Sequence, residues 1–201
     1  MDSGDLRRIL SADRRAAPLF ADVLPRDRFV ELARVARHDY VAVFNTHTSR
    51  QPGEHWIAYA RLNGRGRYFD SYGRPPDAYP DVAVALLDSR PPGGLVWNGQ
   101  QLQGLTTTAC GDYCLLFTLL TCRGWRLRRF VERMVRAGGF EQCDHAVRAL
   151  VLRLYGRSAI ATLRPVRVGD GGGGGDDDNE RYIGRDRLHA ASAVRALNSY
   201  A

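Results

Sequence analysis

Lysine is absent from this chain of 201 residues, so all 29 of its basic residues are arginines. The net charge is +7. Residues 169–201 hold six acidic residues and four arginines, a net −2, which leaves +9 on residues 1–168. A body this basic favours a polyanionic partner or substrate surface. A genome rich in arginine codons would give the same composition, so charge alone does not identify the partner.

Long apolar runs are also missing. No stretch approaches the 18 consecutive apolar residues of a membrane-spanning helix, so we expect no membrane partner. Residues 1–6 lack a basic segment followed by an apolar one, which argues against a secretory signal. We therefore expect a cytosolic or nuclear compartment.

Cysteine is sparse. The four thiols are Cys110, Cys114, Cys122 and Cys143, and a chain that is not secreted has no use for them as a disulfide framework. No C-x2-C pair occurs, and no matching Cys or His pair follows, so we predict no metal site. The open question is whether one of the four is a reactive thiol.

Glycine and aspartate concentrate in residues 169–180, which cannot bury apolar surface and are predicted to be a flexible linker. Residues 1–168 are then one domain, long enough for a core. Residues 181–201 form a short tail with helical spacing over 188–197. The tail is too small to fold alone, so it either docks on the domain or stays loose.

Hydrophobic spacing within the domain predicts helices alternating with short strands. The predicted helices are residues 5–10, 27–36, 77–87, 110–122, 126–137 and 144–155. The predicted strands are residues 40–44, 56–62, 67–71 and 95–97, with a hairpin at Asn63-Gly64. This mixed order indicates an α+β domain.

Two polar residues stand at strand ends. His55 opens one predicted strand and Asp70 closes the next, eight residues before Asn63 and six after Gly64. The hairpin would bring them to the same end of the sheet, where the carboxylate could fix the imidazole tautomer. Taken singly, His55 is more often a structural or merely exposed histidine, and Asp70 is more often a turn-forming aspartate.

Cys110 stands at the head of an apolar helix, where the helix N-terminus lowers the pKa of a thiol. Cys114 and Cys122 fall on the apolar body of the same helix, as small core residues do. Gln103 lies seven residues before Cys110. Its amide could stabilise an oxyanion beside the Cys110 backbone N–H.

These residues together resemble the adenovirus-type endopeptidases (the adenain family), which are related to the SUMO-deconjugating (Ulp-type) cysteine proteases. The similarity runs from Pro18-Leu19-Phe20 to about Tyr155, some three quarters of the chain. Its motifs are Asn45-Thr46, Gly53-x-His55-Trp56-x-Ala58, Tyr68-Phe69-Asp70 and Gln103-Gly104-x5-Cys110-Gly111.

The resemblance implies a papain-like cysteine protease fold of the adenain/Ulp type, with a central mixed sheet flanked by helices. It implies Cys110 as nucleophile, His55 as general base, Asp70 as third triad member and Gln103 in the oxyanion hole, with acyl transfer through a thioester. The family's viral members cleave capsid and core precursors during virion maturation, often beside glycines, and are stimulated by DNA and a short peptide. The expected locations are therefore the virion and the host cell nucleus.

This chain departs from the adenoviral pattern at two positions. Asp70 stands where adenoviral enzymes mostly carry glutamate, as it does in the SUMO proteases. Pro92 stands where the adenoviral cysteine bonds the activating peptide. Covalent peptide activation is therefore not expected by that route. We expect no other cofactor, with DNA kept as a possible activator.

Two alternatives remain open. The same site would serve a protease that removes ubiquitin-like modifiers, which also end in glycine. A basic nucleic-acid-binding protein could also keep the fold without activity. For DNA contacts, we single out the arginines opposite the apolar face of the predicted helix 126–137, although a solvated face explains them as well. They are Arg126, Arg128, Arg129, Arg133 and Arg136.

Overall fold

The computed structural model describes residues 1–155, which form a five-stranded mixed sheet between two layers of helices. The strands are β1 Phe20–Leu24, β2 Tyr40–Asn45, β3 Trp56–Leu62, β4 Arg65–Asp70 and β5 Leu95–Trp97. The helices in this part are α1 Ser3–Ala12, α2 Arg26–Val35, α3 Pro80–Asp88, α4 Cys110–Thr121, α5 Leu127–Arg136 and α6 Phe140–Tyr155. The expected linker 169–180, tail 181–201 and helix 188–197 lie outside the described residues.

The sheet follows chain order from β1 to β5. Its outer pairs, β1/β2 and β4/β5, are parallel, and its inner pairs are antiparallel. Asn63 and Gly64 join β3 to β4 with φ angles of 52° and 69°, the left-handed backbone of a two-residue hairpin. The α+β arrangement and this hairpin confirm the sequence prediction.

Helices α2 and α3 cover one face of the sheet, where Phe29 of α2 stacks on Phe44 of β2 with ring centroids 4.0 Å apart. The other helices contribute to the core on the opposite face, where Phe69 of β4 packs against Phe117 and Phe130. Because side chains alternate along a strand, Tyr68 faces the first core and Phe69 the second.

Helix α4 is buried on every side, with ten of its twelve residues inaccessible to solvent. A helix that is apolar all round is typical of the interior. It packs against β3, so its first residue, Cys110, is fixed relative to the strand that follows His55.

Four predictions needed correction. The helix expected over residues 77–87 is interrupted: a short 3-10 helix, Pro76–Ala78, precedes α3, which begins at Pro80 because proline has no N–H to donate and favours the first helical position. Helix α6 begins four residues before position 144, at Phe140. Strand β1 was not predicted, since only Val23 of its five residues is buried. The apolar spacing within residues 126–137 also placed Val135 on the apolar face of that helix, whereas Val135 is 42% exposed.

No helix within residues 1–155 is long and apolar enough to span a membrane.

Candidate active site

His55 and Asp70 meet at one end of the sheet. The imidazole Nε2 lies 2.7 Å from Asp70 Oδ1, and both side chains are buried. In the antiparallel pairing of β3 with β4, Asp70 lies opposite Ile57, so His55 stands two residues beyond the paired position. The hairpin therefore brings the two side chains into contact despite their unequal distances from the turn.

Asp70 is held at its backbone as well as at its carboxylate. The Tyr72 backbone N–H donates to Asp70 Oδ1 over 2.8 Å. The Asn98 amide donates to the Asp70 carbonyl at 2.6 Å and accepts from the Asp70 N–H at 3.0 Å. These two hydrogen bonds to the Asp70 backbone fix the end of β4, and they thereby fix the carboxylate that faces His55.

The loop before His55 is folded around Asn45, the last residue of β2. Asn45 Oδ1 accepts from the backbone N–H groups of His47 and Glu54, at 2.9 and 3.0 Å. The Thr46 N–H donates to the His55 carbonyl at 2.9 Å. Gly53 has φ of 93°, and an added Cβ would lie 3.3 Å from the Asn45 amide. The Asn45-Thr46 motif thus anchors the histidine.

Cys110 is the first residue of α4 and is partly exposed. Its thiol lies close enough to His55 for each group to shift the pKa of the other. Because Nε2 of His55 faces Asp70, Nδ1 is the nitrogen left for the thiol. The structure therefore brings Cys110 beside an imidazole that is hydrogen-bonded to Asp70.

The charges and hydrogen bonds around Cys110 and His55 favour a Cys110 thiolate that faces a His55 imidazolium. Burial raises the pKa of Cys110, but the hydrogen bond and charge of His55, with the backbone N–H groups of Trp56 and Gly111, lower it below its ordinary value. Burial lowers the pKa of His55, but the hydrogen bonds and charges of Asp70 and Cys110 raise it to about 9. A thiolate is the nucleophilic form of cysteine.

The other three cysteines behave in the opposite way. Burial raises the pKa of Cys122 and of Cys143 to about 11, and raises that of Cys114 well above its ordinary value. Cys114 is fully buried and donates to the Trp56 carbonyl over 3.2 Å. Cys114 lies in the core as predicted, whereas Cys122, which was also expected there, is only partly buried.

Gln103 is buried, and its side chain is held at both ends. Its Oε1 accepts from the Ser71 hydroxyl at 2.7 Å, which fixes the amide orientation. Its Nε2 donates to the Thr107 carbonyl at 2.8 Å and lies 3.5 Å from the Tyr72 hydroxyl. The second N–H of the amide is therefore only weakly engaged.

The turn after Asp70 and the segment leading to Gln103 form one scaffold. The Ser71 carbonyl accepts from the backbone N–H groups of Leu102 and Gln103, at 2.8 and 3.1 Å. Gly73 closes the turn with φ of 73°, and a Cβ there would come within 2.5 Å of the Gln100 backbone. Only glycine fits this approach, so the acid and the glutamine share one support.

Tyr72 belongs to the site, and the sequence analysis missed it. Its ring stacks on the His55 imidazole with centroids 4.5 Å apart. The signal was its position inside the tight turn Asp70-Ser71-Tyr72-Gly73, which folds the ring back over the strand end. The sequence analysis also missed Ser71 and Asn98, because their roles depend on contacts between separate segments of the chain.

The loop between Gln103 and Cys110 is also anchored from α6. Asp144, which is buried, accepts from the Gly104 N–H at 3.2 Å. Arg148 donates to the Thr108 hydroxyl at 3.1 Å. These contacts fix the loop that carries the proposed oxyanion donor, and nothing in the local sequence identified them.

The five α5 arginines do not lie on one surface. Arg126 and Arg128 line a groove beside the sheet, whereas the other three line a separate small concavity. Arg128 pairs with Glu132 at 2.8 Å, and the Arg129 guanidinium lies 4.3 Å from the centre of the Trp125 ring. In residues 1–155 no cluster of three or more His, Cys, Asp or Glu side chains could hold a metal ion.

No family model and no curated protein matches the chain. Among solved structures, it is similar to a crystal structure of the selenomethionine ASFV pS273R protease, with 21% identity and a TM-score of 0.36. The match covers 53% of this chain and 41% of the other, so the chain spans less than half of that protein's length.

Proposed function

We propose that this protein is a cysteine endopeptidase. The observation that supports the proposal is the buried contact of 2.7 Å between His55 Nε2 and Asp70 Oδ1, beside the Cys110 thiol at the start of a buried helix. A thiol, a base and an orienting carboxylate in this order are the parts that acyl transfer through a covalent intermediate needs.

In the proposed mechanism the Cys110 thiolate attacks the carbonyl carbon of the scissile peptide bond. The oxyanion that forms accepts hydrogen bonds from the Cys110 backbone N–H, which has no partner inside the first turn of α4, and from Gln103 Nε2. His55 then gives its proton to the departing amine, leaving a thioester on Cys110. A water molecule, deprotonated by His55, hydrolyses the thioester and regenerates the thiolate, while Asp70 holds the imidazole.

For the substrate we propose precursor proteins of a DNA virus or virus-like element, cut beside glycine during particle maturation in the virion or host nucleus. This finer assignment is supported by the resemblance of the His55-Trp56 and Gln103-Gly104-x5-Cys110-Gly111 motifs to the adenain family. Removal of a ubiquitin-like modifier is the alternative, since it needs the same site. Pro92, which lies beside Gly64 of the hairpin, has no thiol, so we propose no covalent peptide activation at that position.

The proposal is tested with glycine-containing peptides on the full chain. Cys110→Ala and Cys110→Ser should abolish cleavage and labelling by a thiol-reactive peptide probe, whereas the matched control Cys122→Ala should keep most of both. Label on Cys122 or Cys143 instead would contradict the assignment. Comparing capsid-type glycine peptides with ubiquitin-like fusion proteins separates the two substrate classes: selective cleavage of the fusions would favour modifier removal.

A further inference from the structure

A groove of about 880 Å³ opens between the sheet and α5, and none of the four proposed catalytic residues lines it. Its walls carry four arginines and two tryptophans, which are Arg65, Arg67, Trp97, Trp125, Arg126 and Arg128. Residues from β4 and β5 form one wall, and residues at the start of α5 form the other. The groove is therefore a second concave feature beside the candidate active site, and Asn98, which binds the Asp70 backbone, is among its lining residues.

The positive charge in this groove is largely uncompensated. Arg65 donates to a backbone carbonyl at 3.1 Å, and Arg67 lies 3.4 Å from another. No acidic side chain within residues 1–155 forms an ion pair with these two or with Arg126. Burial lowers the pKa of Arg67, and the nearby charges of Arg65 and Arg126 lower it further against the opposing effect of Asp39. Glu132, which pairs with Arg128, is the carboxylate among the lining residues, so the other three arginines leave an excess of positive charge that suits an anionic ligand.

The chain itself carries a matching anion. Residues 176–180 read Asp-Asp-Asp-Asn-Glu, four acidic residues among five, and they follow five consecutive glycines. No other segment of the chain holds so dense a negative charge. Its charge complements the three unpaired arginines of the groove.

Two side-chain contacts connect the end of the described chain with one wall of this groove. The hydroxyl of Tyr155, the last residue of α6, lies 3.5 Å from Asp13, and the same carboxylate pairs with Arg123 at 2.6 Å. Arg123 is followed by Gly124 and Trp125, which line the groove. The stretch from position 155 to position 176, a separation of 21 residues, could span at most about 70 Å if fully extended. The acidic segment is therefore linked to the domain by a stretch of chain long enough to reach the groove.

We propose that residues 176–180 bind in this groove of their own chain, with carboxylates on Arg65, Arg67 and Arg126. Nucleic acid offers the same negative charge, but the chain's own segment is favoured because it is always present at high local concentration. The bound segment competes with any other polyanion for these arginines. This inference does not depend on the proposed protease activity.

The test uses the full chain and the three tryptophans as reporters. Trp97 and Trp125 line the groove, whereas Trp56 lies beside the candidate active site and serves as internal reference. The variant neutralises the segment through Asp176→Asn, Asp177→Asn, Asp178→Asn and Glu180→Gln, and the matched control carries Asp170→Asn and Asp186→Asn. In NMR spectra, the indole N–H signals of Trp97 and Trp125 should shift in the variant and not in the control. Unchanged signals in the variant would overturn the proposal.

Two further measurements identify what occupies the groove. The signal positions of the wild type should not change over about a tenfold dilution, since a tethered ligand is independent of concentration. A dependence on concentration would mean that another copy supplies the segment, and would overturn binding in cis. A single-stranded oligonucleotide should bind the neutralised variant about tenfold more tightly than the wild type at low salt. Equal affinities would show that the groove is open to nucleic acid and would also overturn the proposal.

Discussion

The phenol ring of Tyr72 stacks on the imidazole of His55, with ring centroids 4.5 Å apart and planes inclined by 26°. The backbone N–H of Tyr72 also donates to Asp70 Oδ1, the atom that faces His55 Nε2. One residue therefore touches the proposed base and its orienting acid. Because an aromatic face attracts a cation, this stack supports the protonated imidazole that a thiolate requires.

Replacing Tyr72 by alanine should therefore weaken the ion pair. A cation over an aromatic ring contributes about 0.5–2 kcal/mol, so Tyr72→Ala should lower the pKa of His55 by roughly 0.4–1.5 units. The matched control, Tyr72→Phe, keeps the ring and should keep the pKa. The pKa is followed by NMR of the histidine ring. Equal shifts in the two variants would mean that the hydroxyl, and not the ring, carries the effect.

Alkylation of Cys110 by iodoacetamide should depend on pH in one step, and peptide cleavage in two. The lowered pKa of Cys110 means that the thiolate is already formed below the ordinary thiol range, and it is lost only as pH falls through that lowered value. His55, with its pKa raised to about 9, loses its proton as pH rises through that value. Peptide cleavage should therefore follow a bell between the two pKa values, while alkylation persists on the alkaline side.

Asp70→Asn tests whether Asp70 causes the bell-shaped pH dependence of peptide cleavage. Without the negative charge of Asp70, the pKa of His55 should fall, so the alkaline limb of the bell should move to lower pH while the fold persists. The pH dependence of cleavage and alkylation measures both limbs. An unchanged profile in Asp70→Asn would remove Asp70 from the proposed triad.

The sequence predicted the parts whose signals are local. The period of Phe130, Val131 and Met134 marked α5, and Asn63-Gly64 marked the hairpin that unites His55 with Asp70. It did not predict Tyr72 on His55 or Asp144 on Gly104, since these contacts join segments 17 and 40 residues apart. Such contacts depend on how loops pack against other segments, and this packing leaves no periodic pattern in the sequence.

The oxyanion donor can be tested through its support. Gln103→Ala should lower kcat by about 10²–10³ with little change in KM, because the donor acts on charge that develops in the transition state. Ser71→Ala removes only the hydroxyl that orients the Gln103 amide and should cost less, on the order of tenfold. Steady-state kinetics on one peptide measures both. Alkylation at Cys110 should stay normal, and a wild-type kcat in Gln103→Ala would exclude the donor role.

Asp144 anchors the loop after Gln103 from helix α6, so replacing it tests the position of that loop without changing a proposed catalytic residue. Asp144→Leu removes the acceptor of the Gly104 N–H and should lower kcat by about tenfold, because the loop that carries Gln103 loses an anchor in the core. Asp144→Asn keeps an oxygen in place and should retain most activity. Thermal unfolding separates loss of fold from loss of position. If both variants kept full activity, the anchor would have no part in catalysis.

The last prediction concerns DNA and the five α5 arginines. If all five contact phosphates, a plot of the logarithm of the affinity for duplex DNA against the logarithm of salt concentration should have a slope of about −4.5. This slope corresponds to roughly a 500-fold loss of affinity between 50 and 200 mM salt.

The structure divides these arginines between two concavities, so two pairs of charge-reversal substitutions serve as matched variants. Arg126→Glu with Arg128→Glu alters the groove, and Arg133→Glu with Arg136→Glu alters the second concavity. Each pair should flatten the slope by about 1.8 and weaken binding to different sequences alike, with peptide cleavage in DNA-free buffer unchanged. If only the first pair acts, DNA uses the groove alone. If neither pair acts, or no binding is found at low salt, the arginines are surface composition.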